Sequence, residues 1–188
     1  MSVLEIRALI DRAISIEKKH KYFLTFLEQN PRELHSSIQT STIDKPFKLV
    51  SFVMTYTRHA PELIQRTVDN SKHYGFETYV DPVISLIIAL FDTDNSDIKD
   101  DDQLLIVVSS AYLTYRFVEE LNDWLYGEFG KKLITSDFTD ANLLIYAILG
   151  DTYAYRLEQM ITQVCEGFNA ERDQVADELI KKFHQLSN

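Results

Sequence analysis

The sequence predicts an all-α fold, a single domain over residues 1–188 arranged as a bundle of six or seven helices. Only five glycines and four prolines interrupt 188 residues, so long stretches contain nothing that removes a backbone donor or adds backbone entropy. The segments between them carry apolar residues at spacings of three and four, not the alternation of a strand. The composition, 45% hydrophobic and 26% charged, is that of a globular domain, and a domain of this length buries roughly 70% of its unfolded surface without a disulfide or metal to staple it.

The elements follow in order. Leu9, Ala13, Ile16, Phe23 and Leu27 share one stripe, which predicts a first helix from Val3 to Leu27. The Ser- and Thr-rich stretch from Asn30 to Thr42, containing Pro31, predicts a loop. Asp44 is suited to cap a second helix opening at Pro46, with Phe47, Val50 and Met54 on its apolar face. That helix is expected to stop or kink by Pro61, because a proline disfavours α geometry in the residue before it. A third helix then buries Leu63, Ile64, Thr67, Val68 and Tyr74 and ends at Gly75, a residue suited to a left-handed cap.

Asp81 and Pro82 signal a fourth start. Val83 to Phe91 is apolar almost all round, which predicts the central and most buried helix of the bundle. A fifth helix is expected from Asp100–Asp102 to about Tyr126, ended by Gly127 and Gly130. A sixth is expected from Ser136–Asp140 to Glu166, tolerating Gly150 at about 1 kcal/mol. Asn169 would cap a last helix carrying Val175, Leu179, Phe183 and Leu186.

Charge and cysteine content narrow the function classes. The net charge is −10, from 29 acids against 19 Lys and Arg, and an acidic surface repels phosphate backbones, so no nucleic-acid partner is expected. With Cys165 the single cysteine, no internal disulfide can form, which favours a reducing compartment. The residues around Cys165 supply no nucleophile motif, so a small buried thiol is expected. The first residues lack the basic, apolar and small-residue pattern of an export signal. No apolar run approaches the roughly 20 residues that span a bilayer. These readings together predict a cytoplasmic protein that makes no use of a membrane.

Two segments invite a metal assignment and decline it. From Asp92 to Gln103 the chain has six acids and one lysine, half of its net charge. Asp92, Asp94 and Ser96 fit the first three ligand positions of a calcium loop, but Asp97 stands where the turn needs glycine and Gln103 where a closing Glu is required. An acidic connector is the better account. Glu17 and His20 form one Glu-x-x-His, which dinuclear bundle sites use in duplicate, and no second copy exists. His20 is therefore expected as a hydrogen-bonded histidine at the rim of the core. No metal and no cofactor are assigned.

The polar residues of greatest interest lie on the fifth and sixth helices, expected to pair as an antiparallel hairpin. Tyr112, Tyr115, Arg116, Glu119, Asn122 and Asp123 recur along the fifth at helical spacing. Counting back from the connecting loop places Arg116 and Glu119 near Gly150, Asp151 and Tyr153, with Tyr155, Arg156 and Glu158 one turn further. Asn122 aligns with the apolar stripe and is expected to face inward, where an unmet amide costs about 1 to 3 kcal/mol. This seam is either an ion-pair network, with Arg116 and Glu120 at i, i+4, or a pocket. Its candidate ligand-binding residues are Tyr112, Tyr115, Arg116, Glu119, Asn122, Asp151, Tyr155 and Arg156.

No Ser, His and Asp order, glycine-rich phosphate loop or Cys and His array is present, so no catalytic residue is assigned. Ten Tyr and eleven Phe exceed what one buried stripe per helix needs. The leading expectation is a protein that acts through a helix-mediated interface, as a homodimer or with another protein. The alternative is a helical bundle that binds or transforms a small molecule in a Tyr/Arg/Glu-lined pocket between the fifth and sixth helices.

Overall fold

The computed structural model describes residues 1–29, 45–92 and 102–167. Helix α1, Val3–His20, opens with a capping box: the Glu5 amide donates to the Ser2 hydroxyl at 3.3 Å, and the Ser2 amide donates to the Glu5 carboxylate at 2.6 Å. The expected single helix to Leu27 is broken at Lys21, whose φ of 58° is left-handed, and α2 follows over Tyr22–Gln29. The cause is Glu17. Its carboxylate, on a residue only 3% exposed, accepts from the Phe23 and Leu24 amides at 2.8 and 3.0 Å, meeting donors that a helix start leaves orphaned. Phe23 and Leu27 still enter the core, which is why the stripe reads as continuous across the break.

Helix α3 runs unbroken over Lys45–Tyr74 with Pro61 inside it, against the expected division into two helices. An interior proline costs about 3 kcal/mol. The opposing contribution comes from packing: Ala60, Leu63 and Ile64 flank Pro61 in the core, and the Tyr115 hydroxyl donates to the Tyr56 carbonyl at 3.2 Å in the turn before the proline. The predicted end at Gly75 is present. Gly75 has φ 74°, and the Phe76 amide reaches back to the Ser71 carbonyl at 2.8 Å, closing a Schellman turn. Helix α4, Glu77–Phe91, begins ahead of the Asp81–Pro82 signal, because the Phe76 carbonyl already accepts from the Tyr79 and Val80 amides.

Helix α5, Gln103–Phe129, passes through Gly127 and ends at Gly130, φ 65°. It, and not α4, is the central helix: it packs against α1, α3 and α4 and against the two helices that follow. Ser109, Ser110 and Thr114 are all at most 1% exposed. Their hydroxyls donate to the carbonyls of Leu105, Leu90 and Ser110, so polar residues occupy the middle of the core without an unmet group.

Helices α6, Thr139–Leu149, and α7, Asp151–Gly167, replace the expected single sixth helix. Gly150 adopts φ 82° and ψ 147°, far from helical geometry, and only glycine takes that conformation without strain. The break redirects the chain. Ser109 bonds to Tyr153, and both Tyr112 and Arg116 bond to Glu158, so numbering rises together on both helices and α7 runs in the same direction as α5. The antiparallel register expected for the whole stretch therefore does not extend to α7.

Among the described residues, one hydrophobic core joins all seven helices. Among the described residues there is no strand, and no helix is long and apolar enough to cross a membrane. The predicted last helix from Asn169 and most of the acidic connector lie outside the described residues.

Candidate functional site

Three of the eight predicted site residues, Tyr112, Arg116 and Glu119, meet at the middle of α5. Arg116 donates through Nε and Nη2 to the two carboxylate oxygens of Glu158 on α7, at 3.0 and 3.2 Å. Through Nη1 and Nη2 it also reaches Glu119 at 2.7 Å and Glu120 at 3.0 Å on its own helix. The Tyr112 hydroxyl donates to the Glu158 oxygen that Nε also reaches. Glu119 accepts a second bond from the Asn142 amide at 2.8 Å, and the Asn142 oxygen accepts from the Tyr56 hydroxyl at 2.7 Å. The result is a continuous polar chain, Tyr56–Asn142–Glu119–Arg116–Glu158–Tyr112, crossing from α3 through α6 and α5 to α7.

Electrostatics follow from this geometry. Burial works against the Arg116 charge, yet its hydrogen bonds to Glu158 and Glu119 outweigh burial and push its pKa up. Burial raises Tyr112, and the Glu158 carboxylate beside its hydroxyl raises it further. Burial likewise lifts Tyr56 and Tyr115. All three phenols therefore stay protonated well into alkaline solution. Arg116 already answers three carboxylates, so it does not present an open guanidinium to an anionic ligand. The arrangement fixes the register of α5, α6 and α7.

Tyr115, on another side of α5, stacks on Tyr56 with ring centroids 4.3 Å apart. Asn122 faces inward as expected, but its partners are backbone groups: it donates to the Ile134 carbonyl at 2.7 Å and accepts from the Leu133 and Ile134 amides at 2.8 and 3.1 Å. It pins the loop between α5 and α6. Asp151, Tyr155 and Arg156 are exposed and do not join the Arg116 chain. The register of α7 carries Glu158, and not Asp151, to Arg116.

The other motifs resolve into structure. His20 is exposed and stacks on Tyr22 at 5.2 Å instead of lying hydrogen-bonded at the core rim, while Glu17 caps α2. Among the described residues no group of His, Cys, Asp and Glu side chains is placed to hold a metal ion. Cys165 is half-buried, and burial pushes its thiol up to about 12, with Glu120 adding to the shift. It is consequently a poor nucleophile at neutral pH.

A second cluster gathers at one end of the bundle. Tyr74 at the end of α3, Phe76 and Tyr79 at the start of α4, and Trp124 and Phe129 in the last turns of α5 form a connected set of rings. Their centroids lie 6.1 Å apart for Tyr74 and Phe76, and 5.2 Å for Phe76 and Phe129. Tyr79 lies 5.3 Å from both Trp124 and Phe129, and Trp124 lies 5.9 Å from Phe129. Tyr74 is 43% and Phe129 42% exposed, and neighbouring Tyr126, with the Lys132 ammonium 5.4 Å from its ring centre, is 58% exposed. The signal in the sequence was position: these aromatics flank Gly75, Gly127 and Gly130 instead of repeating along a stripe, so they gather where helices end.

The chain matches no protein-family model, and no match is found among curated proteins or solved structures.

Proposed function

We propose that this protein is a non-enzymatic, cytoplasmic interaction module whose aromatic end face docks on another protein surface, in the simplest case a second copy of itself. The carrying observation is the connected ring cluster of Tyr74, Phe76, Tyr79, Trp124 and Phe129, left partly open although the chain has a well-filled core elsewhere. Protein interfaces are enriched in Tyr, Trp and Phe, which supply large area at low entropic cost. Rings that already stack on each other are held in place before a partner arrives, which reduces the ordering penalty of association.

The alternative, an anion pocket between α5 and its following helices, is weakened by the saturation of Arg116 and the outward position of Arg156. The acidic net charge argues against a nucleic-acid partner, and a lone, deactivated cysteine suits a reducing compartment.

Sedimentation velocity across a concentration series tests the proposal, comparing the wild type with Phe129→Glu. The wild type is expected to dimerise in the micromolar range, and the variant to remain folded and monomeric, with a melting temperature lowered only by the loss of its ring contacts to Phe76, Tyr79 and Trp124. A wild type that stays monomeric throughout would contradict the homodimer reading.

A further inference from the structure

The net charge of −10 conceals an uneven distribution. Through Tyr79 the chain holds eleven Lys and Arg against nine acids, and after it eight against twenty. The fold keeps the two parts apart. Between Asp137 and Gly167, Arg156 is the one Lys or Arg against five acids. The helices there, α6 and α7, pack on α5 and, through α6, on α3, without substantial contact to α1 or α2 among the described residues. The corner where α1 turns into α2 therefore lies on the basic side of an acidic molecule.

At that corner Lys18, Lys19 and Lys21 are exposed and, among the described residues, none of them enters an ion pair. From Arg12 to Leu27 the only acid is Glu17, and its buried carboxylate is engaged by the Phe23 and Leu24 amides. Exposed rings adjoin the lysines. Tyr22 is 37% and Phe26 38% exposed, at i, i+4 on the outer face of α2. Each is backed by another ring: His20 stacks on Tyr22 with centroids 5.2 Å apart, and the buried Phe23 on Phe26 at 6.2 Å. The turn between them is fixed, since the Lys21 amide donates to the Glu17 carbonyl at 2.7 Å and the Thr25 amide to the Lys21 carbonyl at 2.9 Å. Cations in the last turn of a helix also favour its dipole, a role that accounts for Lys18 and Lys19 but not for the aromatic surface beside them.

Cations and preset rings side by side fit a partner that brings carboxylates and an apolar side chain together. An extended anionic surface, a bilayer or a nucleic acid, would meet the acidic remainder of the chain as well. A short segment covers the corner alone, and repulsion elsewhere steers it there. We infer that the α1–α2 corner docks an acidic peptide segment of a partner protein, with its carboxylates on Lys18, Lys19 and Lys21 and an aromatic or aliphatic side chain on Tyr22 and Phe26. This surface shares no helix with the aromatic end face and needs no dimer.

The test is a titration of the whole protein against a dye-labelled peptide, Glu-Glu-Glu-Phe-Leu-Glu-Glu-Glu, read by fluorescence anisotropy at low salt. Saturable binding is expected. Because Lys18, Lys19 and Phe26 are exposed, Lys18→Ala with Lys19→Ala, and separately Phe26→Ala, should keep the fold, which circular dichroism checks. The lysine pair is expected to weaken the peptide about fivefold, the scale of two exposed ion pairs, and Phe26→Ala to weaken it at least twofold. Lys131→Ala with Lys132→Ala, and Phe129→Glu, should bind it like the wild type. The inference is overturned if the peptide shows no saturable binding up to millimolar protein, if the two lysine pairs weaken it equally, or if Phe26→Ala has no effect. It is overturned equally if a single-stranded oligonucleotide or anionic vesicles bind through Lys18 and Lys19 more tightly than the peptide. The titration reads peptide binding and not self-association, so a failure of dimerisation would leave this result untouched.

Discussion

At the middle of α5, Arg116 meets three carboxylates and Tyr112 closes on one of them; about three turns later on the same helix, Trp124 and Phe129 stack on their neighbours but leave ring surface open. Both regions are clusters of large side chains drawn from several helices. They differ in what remains unmet. In the first, hydrogen bonding is nearly saturated, so the cluster holds helices together and has little left to offer a ligand. In the second, apolar area remains exposed, and a partner could still bury it. Residual capacity, more than chemical richness, separates a structural cluster from a docking surface.

The sharpest way to break this contrast is Arg116→Ala, which strands Glu119, Glu120 and Glu158 together without their counter-charge. For a pair only about a quarter exposed on the arginine side, the loss is expected at about 3 kcal/mol, toward the low end for a broken buried pair. Urea unfolding checks this, and a loss below about 0.5 kcal/mol, the size of a surface pair, would place Arg116 on the unsaturated side of the comparison. Asn122→Ala comes next. Removing an amide that holds two loop residues should cost about 2 kcal/mol and, by hydrogen exchange, free the Leu133 and Ile134 amides first.

The smallest effect is in pH. Tyr56, Tyr112 and Tyr115 have folded pKa values raised above the ordinary value of 10.0. Their protonated forms therefore contribute stability that is complete below pH 10 and is lost as pH climbs from there toward the folded values. Stability should fall above pH 10, and Tyr112→Phe should make that fall shallower. An equally steep decline in the variant would show that Tyr112 does not contribute.

Much of the fold was legible because helix periodicity and the left-handed glycines are local features. Gly75 and Gly130 end helices as local rules require. What escaped depended on distant partners. Ser109, Ser110 and Thr114 read as polar, and the centrality of α5 emerged only once carbonyls met their hydroxyls. Pro61 reads as a stop, and only packing across α5 carries α3 through it. The inward face of Asn122 and the Arg116–Glu120 pair were visible in spacing alone. Glu158 as the partner of Arg116 was not, since its register depends on the turn at Gly150 that sets α7 parallel to α5. The aromatic end face escaped because its rings come from three helix termini that no single period connects.

Trp124 is the only tryptophan in the chain and sits inside the proposed docking face, so its fluorescence reads that face alone. The measurement that tests the central claim most directly is its emission maximum against protein concentration. The account predicts a shift to shorter wavelength as protein concentration rises through the micromolar range, absent in Phe129→Glu. An emission maximum that stays constant while sedimentation reports a dimer would mean that the copies meet elsewhere and would contradict the assignment of this face.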